Sequence, residues 1–349
     1  MTSYERMQNM AAGRKVDRIG VAGWYHMPLI DRNLTDFSKG VVDSARVMHW
    51  DFCKIQNHNQ FLNESLGLEF VPSYTADKVV GPIRRYPIYH PRMFRQLKTQ
   101  GIGYPSIAMQ IEATKRILDE LKGEIPVIAT VFSPAYIARE ICGDHIDYFK
   151  NFVKYDPEDV QIGLRILSEL SFEYLNALLD LGIDGIMYCD KLASYDDMSY
   201  DDYQSFSVPY DLPLLELTRG RTWFNILHVH GYKNLRFDQY ERNHYNVQAY
   251  NWEDRFEDGV HKPITLKDVR SMTDKILIGG VEFWHDFDSA SNNRDEVKER
   301  IVMRLKDALS QMEGEQRFVF APGCSVKPHV PPYRMELLYE AVREVTGVD

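Results

Sequence analysis

Three observations predict an α/β protein built as a single (β/α)8 TIM-barrel domain. Short apolar runs alternate with longer helical patterns through most of the chain, the mark of repeated βα units around a parallel sheet. Eight such runs are present, the number a closed barrel requires. No Gly-x-Gly-x-x-Gly follows the first run, and no Gly-x-x-x-x-Gly-Lys-Ser/Thr phosphate loop occurs, so an open doubly wound sheet loses its usual support.

The opening residues Met1 to Arg6 lead into a polar helix without the apolar run of a signal peptide. Strands are expected at 18–22 and 49–55. Segment 57–103 is too long for a plain βα connection and contains Pro72, Pro82, Pro87 and Pro91, so it reads as an insertion forming one wall of the cleft. An amphipathic helix at 107–121 precedes a strand at 125–132. Asp156 and Pro157 stand as N-cap and first-turn proline before a helix at 160–181. Further strands are expected at 185–189, 222–228, 247–251, 276–280 and 318–321, with helices at 266–272, 294–312 and 334–345. No short repeat, low-complexity tract or linker composition divides the chain.

At 349 residues, 44% hydrophobic and 26% charged, the composition suits a large globular core. A net charge of −10 argues against a nucleic-acid or anionic-membrane surface and leaves a small molecule or another protein as the expected partner. Cys53, Cys142, Cys189 and Cys324 lie far apart, in neither a disulfide framework nor a zinc-ribbon pattern, which favours a reducing cytoplasm. No stretch is long and apolar enough to span a bilayer.

The most chemical stretch is Asn225-Ile226-Leu227-His228-Val229-His230-Gly231, read with Ala321-Pro322-Gly323-Cys324. Alternate strand residues share a face, so His228 and His230 can project together. Imidazole and thiolate are preferred zinc ligands, and a catalytic zinc site takes three protein ligands and leaves one position open. By itself a His-x-His pair also fits two hydrogen-bonded structural histidines, and a late cysteine fits a small buried residue. Placement favours the metal: His228 closes the fifth strand, Glu253 follows the sixth, Glu282 the seventh and Cys324 the eighth. C-terminal strand ends are where barrels of this kind build their sites.

The chain resembles the uroporphyrinogen decarboxylase superfamily over nearly its whole length. The resemblance is carried by Glu5-Arg6-Met7 through Lys15-Val16-Asp17-Arg18-Ile19, Ser133-Pro134, Leu181-Gly182-Ile183-Asp184-Gly185-Ile186, Ser207-Val208-Pro209-Tyr210, Asn251-Trp252, Ile278-Gly279-Gly280 and Pro322-Gly323-Cys324. The decarboxylases of that family carry arginines after the first strand to hold the porphyrinogen carboxylates. Here the stretch reads Ala22-Gly23-Trp24-Tyr25-His26-Met27-Pro28, with no arginine. The catalytic aspartate is replaced within Gln56-Asn57-His58-Asn59, and the family's tyrosine, serine and late histidine fall at Arg139, Lys191 and Cys324.

The sequence is similar instead to the zinc-dependent corrinoid methyltransferase branch, which places a His-x-Cys pair after the fifth strand and a cysteine after the eighth. His228, Gly231 and Cys324 are kept, and His230 stands where that branch has cysteine. Two imidazoles and one thiolate make a more Lewis-acidic zinc than two thiolates. The resemblance therefore implies methyl transfer between a small methylated or methoxylated substrate and a corrinoid carried by a partner protein, in a monomer or homodimer. Zinc would rest on His228, His230 and Cys324, with Glu253 as fourth ligand or proton donor.

Asp190 and Lys191 after the fourth strand and His58 after the second are further catalytic candidates. Tyr25, His26, Trp252 and Glu282 are expected to line the cofactor side of the pocket, and Trp24, Tyr25, Trp252 and Trp284 could form an aromatic wall. A metal-free lyase using His228, His230 and Lys191 on a smaller carboxylated substrate is the alternative from another reaction class. A noncatalytic tetrapyrrole- or corrinoid-binding protein is the second.

Overall fold

The computed structural model describes residues 1–348 apart from 76, 144, 257, 258, 288–290 and 292. Eight parallel strands form a (β/α)8 barrel: β1 (Gly20–Val21), β2 (Cys53–Lys54), β5 (Val127–Phe132), β6 (Gly185–Asp190), β7 (Ile226–Val229), β8 (Ala249–Asn251), β9 (Ile276–Val281) and β10 (Phe318–Pro322). β3 (Glu69–Phe70) and β4 (Ile83–Arg85) pair separately as an antiparallel hairpin. Strand order around the main sheet is β1-β10-β9-β8-β7-β6-β5-β2, so from β2 round to β10 each barrel strand pairs with the next barrel strand along the chain, β10 pairs with β1, and β1 and β2 stand at the two ends of the order.

All eight expected strands are present, but the first two are cut to two residues each. Asp51 accounts for this. At the seam between β1 and β2 its backbone N–H donates to the Val21 carbonyl at 2.7 Å, and its carboxylate accepts from the Val21 N–H at 2.8 Å. A side chain thus takes the place of a ladder. The same fully buried carboxylate accepts from Arg6 at 2.5 Å and Arg18 at 2.6 Å. Removing one member of a buried ion cluster strands the others, at a cost of about 3–5 kcal/mol. An Asp51→Ala chain is expected to lose stability on that scale in urea unfolding, and an unchanged midpoint would contradict this account of the seam.

Period-two alternation decides what faces the barrel axis. Ala22, Trp24, Phe52, Ile128, Met187, Cys189, Ile226, Ala249, Ile276, Ile278, Val319 and Ala321 pack into one interior cluster. Met7 and Met10, from the helix Ser3–Ala11, join it and plug the N-terminal end. The other faces of the strands, including Val131, Tyr188, Leu227, Tyr250 and Phe320, pack against the surrounding helices. The barrel interior is therefore filled at its base, and the cavity over the strand ends opens on the C-terminal side.

The expected helices appear as Pro105–Leu121, Pro157–Asp180, Leu266–Arg270, Arg294–Gln311 and Tyr333–Thr346. Asp156 takes the N-cap position but its side chain makes no capping bond. It also ends the preceding helix, Ile146–Tyr155, where its N–H donates to the Phe152 carbonyl. Its φ of −137° and ψ of 52° serve that junction. Segment 57–103 contains the β3–β4 hairpin and a 3-10 turn, Pro91–Gln96, and it brings Asn59 and Val79 to the rim of the central cavity.

Candidate metal centre

β7 turns Ile226 and His228 toward the barrel axis, and the same parity carries His230, just past the strand end, to that side. The His230 N–H donates to the Asp190 carbonyl at 3.0 Å, which fixes the strand end against β6. Gly231 follows with φ +124°, a backbone conformation that side-chain-bearing residues rarely adopt, and lets the chain leave directly behind the imidazole. From β10, Pro322-Gly323 delivers Cys324. A Cβ on Gly323 would lie 2.5 Å from the Trp252 carbonyl oxygen and 2.6 Å from Glu253 Cα, so only glycine lets this turn press against the end of β8.

The ligand atoms of His228, His230 and Cys324 all lie within 4.8 Å of one another. His228 Nε2 is 3.7 Å from Cys324 Sγ, close to the separation of about 3.5 Å between nitrogen and sulfur ligands on a tetrahedral zinc. The orientation of His228 is set by Asn251, its register neighbour on β8. Asn251 Nδ2 donates to the Ile278 carbonyl at 3.0 Å and the Pro322 carbonyl at 3.1 Å. Its Oδ1 must therefore accept, and His228 Nδ1 donates to it at 2.6 Å. That leaves the lone pair on Nε2, facing Cys324, as a carbonyl-type partner behind a metal-binding histidine does.

Burial brings the His228 pKa down to about 4 and holds His230 well below the usual imidazole range. Burial, reinforced by the Glu253 charge, pushes the Cys324 thiol up to about 12. At neutral pH the imidazoles are thus neutral and ready to bind, whereas the thiol must surrender its proton. Zinc uptake is expected to release about one proton per ion, and affinity to rise about tenfold per pH unit between roughly pH 6 and 9. Calorimetry in buffers of different ionisation heat measures this, and a proton-neutral uptake would contradict it.

A cavity of about 260 Å³ opens over the three side chains and is also lined by His26, Asp190 and Lys191. Trp24 lines it from the barrel interior. Lys191 reaches back to Glu140 at 3.1 Å and lies over the Tyr136 ring. The Asp190 carboxylate is enclosed: Tyr203 and Tyr240 each donate to one oxygen at 2.6 Å, and the Leu192 N–H donates to the other at 2.8 Å. Asp190 therefore lines the cavity with a carboxylate whose oxygens are already engaged, and it supports the strand end.

Glu253 lies close enough to Cys324 for its charge to act on the thiol, and burial followed by the Glu282 charge raises its own pKa to about 7. Glu282 accepts from both the backbone N–H and the ring of His285, at 2.6 and 2.9 Å.

Neither Glu253 nor Glu282 is among the residues lining the cavity, and three further expected pocket residues sit elsewhere. Trp252 faces outward between the inward Asn251 and Glu253, packs on Phe237 and donates to the Ile264 carbonyl. Tyr25 likewise turns out, with its hydroxyl 2.7 Å from Ser44. His58 is buried against Phe61 and Phe70 and accepts from the Gln60 N–H. The side chain of Trp284 lies outside the described residues. Sequence reasoning missed Asn251, Lys54 and Gln56. Strand parity marks each as inward-facing, since Asn251 is the register partner of His228, and Lys54 and Gln56 continue the inward series from Phe52.

A (β/α)8 barrel whose polar side chains converge at the C-terminal strand ends is the architecture of a barrel enzyme. The uroporphyrinogen decarboxylase (URO-D) profile matches residues 61–345, and the chain belongs to that family. Its curated relatives include the methylcobamide:CoM methyltransferase MtbA of Methanosarcina acetivorans, 25% identical over 136 residues, or 39% of each chain. The matched segment thus spans about two fifths of that relative. Another is the uroporphyrinogen decarboxylase of Ruthia magnifica subsp. Calyptogena magnifica, 23% identical over 274 residues, covering 76% of this chain and 73% of the relative. Among solved structures, a methyltransferase from Methanosarcina mazei superposes with a TM-score of 0.74 at 17% identity, covering 99% of both chains. Among the described residues, no helix is long and apolar enough to cross a membrane.

Proposed function

We propose that this chain is a zinc-dependent methyltransferase that moves a methyl group between a small methylated or methoxylated molecule and a corrinoid carried by a partner protein. The observation that carries the reading is the convergence of His228, His230 and Cys324 at the cavity floor, with Asn251 fixing the His228 tautomer that leaves Nε2 free. One zinc ion held there supplies Lewis acidity, stabilising the electron pair left on the substrate heteroatom as the methyl group departs.

The protein's own groups do the rest. Glu253, with its pKa raised to about 7, can hold or yield a proton beside Cys324 near neutral pH. The cavity walls position the substrate over the three ligands, and a volume of about 260 Å³ suits a small molecule. No arginine lines the cavity among the described residues, which weighs against a polycarboxylated porphyrinogen, since guanidinium forks are the natural carboxylate holders. Methyltransferases among the relatives support the same direction.

The test follows the cobalt spectrum of zinc-loaded protein mixed either with free methylcobalamin and a panel of thiol acceptors, or with chemically reduced cob(I)alamin and a panel of methoxylated aromatics and methylamines as donors. Zinc-dependent demethylation by at least one acceptor, or corrinoid methylation by at least one donor, is expected. Absence of both, with carbon dioxide released from a carboxylated tetrapyrrole, would replace this reading by a decarboxylase.

A further inference from the structure

His230 lies just past the sheet. β6 and β7 stay in register as far as Asp190 and Val229, and His230 is the next residue along. Its N–H bond to the Asp190 carbonyl, at 3.0 Å, is the last rung of that ladder. Where the His230 imidazole points therefore depends on where Asp190 is held.

Asp190 is held by its side chain. The carboxylate is fully buried, and the Leu192 N–H donates to one oxygen at 2.8 Å. Tyr203 and Tyr240, from the helices Tyr200–Phe206 and Phe237–Arg242, both donate to the other at 2.6 Å. A buried carboxylate is tolerated only with such donors, so its position follows theirs. The phenols are fixed in turn. Arg236, fully buried and in no ion pair among the described residues, lays its guanidinium 4.1 Å from the centre of the Tyr203 ring. It also donates to the Leu192, Ser194 and Met198 carbonyls at 3.1, 2.7 and 2.7 Å, which ties the loop after β6 to the same cluster. Tyr203 thus joins a buried cation at its ring face to a buried anion at its hydroxyl.

We infer that Tyr203 and Tyr240 are positioning residues of the metal centre: by gripping the Asp190 carboxylate they fix the main-chain carbonyl that holds His230. This rests on the metal reading of His228, His230 and Cys324. The two phenols do for His230, through the backbone, what Asn251 does for His228 through the ring. A metal ligand must be held to within about 0.5 Å, which a strand end without that grip does not provide.

The neighbouring carboxylate supplies the control. Asp211, also fully buried, accepts from Tyr188 at 2.6 Å. Tyr240→Phe and Tyr188→Phe therefore each remove one hydroxyl bonded to a buried carboxylate at the same distance, but only the first loosens Asp190. Chelator competition gives the zinc affinity of each variant, and the visible ligand-field bands of cobalt(II) in place of zinc report the geometry around the metal. Tyr240→Phe is expected to weaken zinc binding about tenfold and to shift those bands. Tyr188→Phe should leave the affinity within about twofold and the bands in place, although it costs a buried hydrogen bond of equal length. Should Tyr240→Phe not fold, Tyr203→Phe carries the same expectation, because its ring still meets Arg236.

Unchanged affinity and bands in the Asp190 variant, or changes of equal size in Tyr188→Phe, would overturn the assignment. Cobalt-loaded unaltered protein distinguishes the two ways of failing. Without a thiolate-to-cobalt charge-transfer band there, the metal centre itself falls. With that band present and the variants alike, only the positioning role does.

Discussion

Replacing Cys324 by alanine is expected to weaken zinc binding by roughly a hundredfold or more and to abolish methyl transfer. Two imidazoles alone leave zinc half-coordinated, and the thiolate is the only anionic member of the set. The change removes one sulfur atom from a half-buried position, so the barrel should unfold at nearly its original temperature. A loss of metal with an intact fold is therefore the signature. Competition with a chromogenic chelator gives the affinity, and circular dichroism checks the fold. Cys324→Ser should fail almost as badly, because a hydroxyl does not ionise near neutral pH as a metal-bound thiol does. Undiminished zinc content in either variant would remove Cys324 from the site.

Asn251→Leu should cost tenfold to about a hundredfold in zinc affinity although Asn251 touches no metal. The leucine matches the amide in shape but neither accepts from His228 Nδ1 nor donates to the Ile278 and Pro322 carbonyls. His228 is then free to change tautomer and present an N–H where its lone pair should be. Each buried polar group left unpaired costs about 1–3 kcal/mol, so this variant, unlike Cys324→Ala, should also lose stability. Nitrogen-15 spectra of the histidine rings separate the two effects. The unaltered protein should show His228 protonated at Nδ1, and the variant a mixture. Asn251→Asp should keep the tautomer, since a carboxylate still accepts from Nδ1, yet lose stability by facing two carbonyl oxygens without a donor.

Much of this was legible in the sequence because it depends on short-range rules. The strands are short apolar runs of the right length, and all eight form. His228 and His230 share a face through a period of two, and barrel strands end where sites are built, so Cys324 meets them across 96 residues of separation. The same parity, not applied to each residue in turn, would have sent Trp252 outward and Asn251 inward.

Other features were hidden because they depend on distant partners. Asp190 reads as a strand-end acid, but Tyr203 and Tyr240, 13 and 50 residues further on, enclose it. The shortness of β1 and β2 reflects Asp51, whose role at the seam emerges only once Arg6, Arg18 and Val21 surround it. Lys54 interrupts an apolar run and would ordinarily be read as a solvent-facing residue, yet it points into the cavity.

In the proposed site His228, His230 and Cys324 together hold one zinc ion. Zinc-edge X-ray absorption on protein purified without an affinity tag and loaded with one equivalent tests it most directly. One sulfur at about 2.3 Å with two imidazole nitrogens at about 2.0–2.1 Å and one further light atom is expected, the sulfur vanishing in Cys324→Ala. A zinc shell without sulfur, or one unchanged by that substitution, would contradict it.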